Sequence, residues 1–125
     1  MDRLVTKIYL INLALLITHE IDSAFWHEWE LFHLPGGIQL FLLINLGLIL
    51  LFFFGIESVI SRKKSWKTFS YFLAITGILA FFIHLYFILI GNTEFFLPVS
   101  ILILLLIFLT STAQLILNLR VANDK

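Results

Sequence analysis

Residues 38–67 read IQLFLLINLGLILLFFFGIESVISRKKSWK, and this stretch decides the class of the protein. Its first part, residues 38–56, carries no charge, and its polar side chains are Gln39 and Asn45. A helix rises about 1.5 Å per residue, so roughly 20 such residues cross the hydrocarbon core of a bilayer. The run does not alternate apolar with polar, which predicts a membrane helix rather than a barrel strand. Arg62, Lys63, Lys64 and Lys67 close it with a basic cluster.

Working outward, three more apolar runs predict helices over residues 4–25, 68–90 and 95–118. The expected architecture is all-α: a single domain, residues 1–125, built as an up-down bundle of four transmembrane helices joined by short loops. The 8 Lys and Arg residues are sorted completely. They stand at the start (Arg3, Lys7), in the middle loop, and at the end (Arg120, Lys125), while the other two connections have none. Cytoplasmic loops of membrane proteins are enriched in Lys and Arg. This predicts a multi-pass protein of the inner membrane with both termini and the loop at residues 57–67 in the cytoplasm. Trp66 reads as an interfacial anchor. The basic start and apolar run of the first span resemble a signal peptide, but Asp22 precedes the small pair Ser23-Ala24, so an uncleaved helix is expected.

Composition narrows the function. The chain of 125 residues is 61% hydrophobic and 13% charged, against about 25% charged in a typical soluble domain. The net charge is zero, which gives no basis for binding nucleic acid, and the lipid bilayer is the expected partner. The absence of cysteine excludes disulfides and thiolate metal sites. Gly47, Gly55 and Gly77 are not spaced as a helix-dimerisation motif.

The chemistry concentrates in residues 18–33, THEIDSAFWHEWELFH, which hold three of the four histidines and half of the acids. The pattern His-Glu-x-acid occurs twice, as His19-Glu20-x-Asp22 and His27-Glu28-x-Glu30. Were the first helix to continue beyond the outer face to residue 34, Pro35 would stop it. At about 100° per residue, His19, Asp22, Trp26, Glu30 and His33 then share one face. Glu20, Ser23 and His27 flank it, and Glu28 falls on the opposite side. His84 stands six residues before the expected outer end of its span, as His19 does, so both lie roughly 9 Å below the same surface.

Polar groups within a span usually face a bundle interior or a wet cavity and mark function. Neutral imidazole and carboxylate ligate divalent metals, with Zn, Mn, Fe and Ni all compatible. His19, Asp22 and His84, with help from Glu20, His27 or Glu30, are therefore the expected site for a divalent metal or a proton. The plain readings stand beside this one. Glu28, Trp29, Glu30 and His33 fit a solvated outer loop, and Trp26 and Trp29 fit the aromatic belt. Thr110, Ser111, Thr112 and Gln114 fit backbone hydrogen bonding or close packing.

Familiar reaction signatures fail. Position 23 after His19 is Ser and position 31 after His27 is Leu, so no His-Glu-x-x-His zinc motif exists. Four histidines are too few for the clustered boxes of membrane hydroxylases, and Asp22 has no second aspartate within the spans. The nucleophile motif Gly-x-Ser-x-Gly is absent.

Through His19-Glu20-Ile21-Asp22, His27-Glu28-Trp29-Glu30 and Leu34-Pro35-Gly36-Gly37, the chain resembles a family of small uncharacterised bacterial four-helix inner-membrane proteins. The resemblance implies four transmembrane helices and no assigned activity. A fainter similarity to the sterol-isomerase-like four-helix fold carries over no residue role, because the spacings differ. Small fluoride channels and multidrug transporters share the size but not the motifs. Three functions remain: a protein that binds or moves a metal ion or proton; a membrane enzyme using acid–base or metal chemistry on a lipid-like substrate; and an accessory subunit of a larger membrane complex, with a homo-oligomer as a further arrangement.

Overall fold

The computed structural model describes residues 2–123, with side chains from Arg3 to Val121. It consists of α1 (Asp2–Phe25), the short α2 (Glu28–Leu31), α3 (Ile38–Ile60), α4 (Trp66–Leu89) and α5 (Pro98–Asn123). No strand occurs among the described residues. Four of these helices are long and apolar enough to cross a membrane. Their outward surface is covered by large apolar side chains, such as Leu43, Phe54, Leu79 and Leu109. A soluble monomer rarely exposes so continuous an apolar surface, whereas lipid tails match it.

The helix bounds refine the expected ones. α3 runs on to Ile60 and α4 starts at Trp66, so the basic turn is shorter than residues 57–67. Arg62 takes a left-handed φ of 51° there, and its guanidinium lies 4.3 Å from the Trp66 ring centroid. Lys63 pairs with Glu57. α5 begins at Pro98 rather than at residue 95, because Phe95 adopts φ 68° and belongs to the preceding loop. α1 ends at Phe25 and does not continue to residue 34. His27 breaks it with φ 54° and ψ 46°, a left-handed conformation that His adopts more readily than most residues.

α1 packs against α3, α4 and α5, and α4 packs against both α3 and α5. The core runs along α1 through Val5, Tyr9, Leu13 and Leu16, and meets Phe52 and Val59 of α3 and Leu73 of α4. Two glycines set the approach of helices. A Cβ at Gly55 would collide with the Tyr9 hydroxyl, and one at Gly77 with Ser111 Oγ. The Tyr9 hydroxyl donates to the Phe52 carbonyl at 2.9 Å.

A buried hydrogen-bond network ties α1, α4 and α5 together. Asn12 and Ser111 are mutual partners at 3.0 and 3.1 Å, and Asn12 Nδ2 also donates to Gln114 Oε1 at 2.8 Å. Gln114 Nε2 donates to the Ser70 carbonyl and hydroxyl, and Ser70 Oγ donates to Asn118 Oδ1. Thr110 Oγ1 bonds back to the Leu106 carbonyl at 2.8 Å and also meets Asn12 Oδ1 of α1 at 3.1 Å, while Ser111 and Gln114 serve tertiary partners. In apolar surroundings a polar side chain needs such partners, and bonds of this kind average about 0.6 kcal/mol within membranes.

Candidate metal centre

The break at His27 builds the site. A continuous helix would carry Glu28 to the side opposite His19. Instead the chain reverses, the His27 carbonyl accepts from Glu30 N at 2.8 Å, and Leu34 N closes on the Trp29 carbonyl at 2.9 Å. Two aromatic contacts seat this strap. Trp29 packs on Phe41 of α3 with centroids 5.4 Å apart, and Phe32 meets Phe87 of α4 at 5.5 Å. Glu28 is thereby turned inward and is only 7% exposed. The sequence suited Glu28 to a solvated loop; the structure buries it.

Its carboxylate meets the two histidines of the spans. His19 and His84 are 1% and 2% exposed, and their rings form an edge-on pair with centroids 4.5 Å apart. One ligand atom from each of His19, Glu28 and His84 lies within 4.8 Å of the other two. The matched depth expected of His19 and His84 thus becomes direct contact. Phe95 closes the cluster, with its ring centroid 4.3 Å from His84 and 5.8 Å from His19. Its left-handed backbone is unusual for a bulky residue and is held by the burial of that ring.

Hydrogen bonding fixes the chemistry of His84. Its Nδ1 lies 2.7 Å from the Ala80 carbonyl, which can only accept, so Nδ1 carries the hydrogen. In the neutral ring, Nε2 then presents a lone pair. It faces Glu28 Oε1 at 3.5 Å. Two lone pairs repel unless a cation stands between them, either a proton carried by one of the two groups or a metal ion. Ligating histidines commonly bond their second nitrogen to a backbone carbonyl in this way. His19 Nε2 is 3.5 Å from Ser23 Oγ, and its Nδ1 has no partner. Glu28 Oε2 and His84 Nε2 are likewise buried without hydrogen bonds. A cation centred among atoms no farther apart than 4.8 Å lies within about 2.8 Å of each. Side-chain shifts of under ~1 Å would then reach the bond lengths of zinc with nitrogen and oxygen ligands.

The remaining expected site residues are divided. Asp22 Oδ1 accepts from Ser100 Oγ of α5 at 3.0 Å, while its Oδ2 is buried and unpartnered, as is Trp26 Nε1. Glu20 is not among the clustered ligand atoms and instead lines, with Glu28 and Asn45, a crevice of about 230 Å³. His27 and Glu30 stay exposed at the surface, 3.8 Å apart. Gln39 is exposed as well. The residue that the sequence reading left out of the cluster is Glu28, and the repeat of His-Glu-x-acid is the one sequence feature that marks it.

Together, the fold and site define a small all-helical protein of four membrane-spanning length helices with a buried two-histidine, one-carboxylate cluster at one end. The chain belongs to a family of unknown function, DUF6713, whose family model matches residues 5–121. No curated protein and no solved structure matches it.

Proposed function

We propose that this is a multi-pass membrane protein that binds a divalent transition-metal ion through His19, Glu28 and His84. The observation that carries the reading is the opposition of His84 Nε2 and Glu28 Oε1, 3.5 Å apart, with the Ala80 carbonyl holding the hydrogen on the other ring nitrogen. Two imidazoles and one carboxylate leave a fourth position open on a tetrahedral ion, the arrangement of reactive rather than purely structural zinc sites. Asp22, one turn beyond His19, offers a further carboxylate oxygen at this end of the bundle.

The charge pattern supports an up-down bundle in the inner membrane, as one domain with both termini and the basic turn in the cytoplasm. The connections at the metal end, residues 26–37 and 90–97, contain no Lys or Arg. The pairings of Asn12 with Ser111 and Asp22 with Ser100 suit antiparallel α1 and α5. On this reading the metal is held near the outer face.

Metal analysis of purified protein tests the site. Wild type, reconstituted in turn with Zn, Mn, Fe and Ni, retains one ion per chain after dialysis. His84→Ala and Glu28→Gln lose it, with affinity falling by more than the about 10–100-fold that loss of an outer-shell partner costs. A wild-type protein that retains none of the four ions rejects the proposal.

A further inference from the structure

The imidazoles of the metal site are sealed. His19, His84 and the Phe95 ring beside them are each no more than 2% exposed. Of the three ligands, Glu28 alone also borders the crevice between α1, α2 and α3. We propose that this crevice is the path by which the cation enters, with Glu20 and Asn45 receiving it and Glu28 passing it to the histidines. The inference rests on the metal-binding reading.

Three observations carry it. The polar groups lining the crevice are Glu20, Glu28 and Asn45, with no Lys or Arg among the lining residues. A space whose charge is acidic and whose walls are apolar concentrates cations and excludes anions. Two of these side chains are nine-tenths or more buried and still have an acceptor without a partner, Glu28 Oε2 and Asn45 Oδ1. One hydrogen of Asn45 Nδ2 goes to the Phe41 carbonyl at 3.1 Å, which orients the amide. Glu20 and Glu28 line the same crevice, so a cation held between them would meet a carboxyl group on either side. Glu28 thus has two sides: Oε1 faces His84, and the same carboxylate borders the crevice.

The size fits the task. About 230 Å³ holds an ion with several of its waters, since a water takes roughly 30 Å³ in the liquid. Deeper in, Glu20, Asn45 and Thr76 border a second cavity of about 20 Å³, room for a single water, which Leu16 and Phe52 of the core close off. On this path loading and release share the opening at the end of the bundle that carries α2. A lipid-like substrate would find apolar walls here but, apart from the Asn45 amide, no donor for a headgroup.

Stopped-flow mixing of the full-length protein with Zn²⁺, read through a competing chelator dye, tests the path. Glu20→Gln is expected to slow loading about tenfold at low ionic strength, with the equilibrium affinity nearly unchanged. Ile44→Trp, which narrows the crevice, is expected to slow loading and chelator-driven release by the same factor. Wild-type loading rates in both variants would overturn the path while leaving the metal site standing. A Glu20→Gln protein that fails to hold zinc at equilibrium, as His84→Ala does, would also overturn it, by making Glu20 a ligand. A wild-type protein that binds no metal would remove the site and the path together.

Discussion

Two buried polar clusters occupy the same bundle and are finished differently. The Asn12–Ser111–Gln114–Ser70–Asn118 network closes on itself: carbonyl oxygens meet amide or hydroxyl hydrogens, and Asn118 Nδ2 is the atom left over. The cluster at the α2 end does not close. His19 Nδ1, Asp22 Oδ2, Trp26 Nε1, Glu28 Oε2 and His84 Nε2 are all buried and unbonded. An unmet polar group in a low-dielectric interior costs about 1–3 kcal/mol. Such a cost is tolerated where the groups have something else to bind. The first cluster holds helices together; the second leaves the open donors and acceptors that the metal-binding proposal needs.

The largest effect expected from this contrast is a double dissociation. Glu28→Gln should abolish metal retention without lowering the unfolding free energy of the metal-free protein, since it keeps the buried shape and removes a charge whose Oε2 was unsatisfied. Gln114→Ala should do the reverse, lowering stability by about 1–3 kcal/mol while metal affinity holds, because it orphans Asn12 and Ser70. Steric-trap or denaturant unfolding in bicelles, run beside metal titration, measures both. If both substitutions moved both quantities equally, the division of labour would be wrong.

Packing tests the same division at a smaller scale. Gly77→Ala places a methyl where Ser111 Oγ stands. It should cost about 1–3 kcal/mol by forcing α4 from α5, again with metal affinity retained. Acidification separates the clusters from the other side. Imidazole must be unprotonated to ligate, so metal binding should weaken as pH falls while the amide and hydroxyl network is indifferent. Equilibrium titrations at several pH values give the sign. The smallest effect belongs to His27→Ala. That side chain is exposed, and its loss should leave metal content at the wild-type level, although the left-handed backbone at this position will favour His27→Gly over His27→Ala for stability.

The four spans were legible from the sequence because their signal is local: length, continuous apolarity and sorted charge act without reference to distant residues. That His19 and His84 stand at the same level of the bundle was legible for the same reason, since helical rise and loop position fix it. Glu28 was not legible. Periodicity assumes an unbroken helix, and one left-handed residue at His27 voids that assumption for every position after it. Ser111 and Gln114 were read as bonding backbone carbonyls or packing closely; Gln114 does bond the Ser70 carbonyl, but the partners on α1 and α4 lie across the bundle and no local pattern names them.

By itself, then, the sequence determined the all-helical class, the four helices long and apolar enough to cross a membrane, and the presence of imidazole and carboxylate groups near one another in the chain. Only the tertiary structure decided which of those groups meet. The choice depends on Trp29 and Phe32 seating the strap on α3 and α4, and on Phe95 capping the two rings. These contacts join residues distant in the chain, and side-chain packing between helices sets them rather than any pattern along one helix.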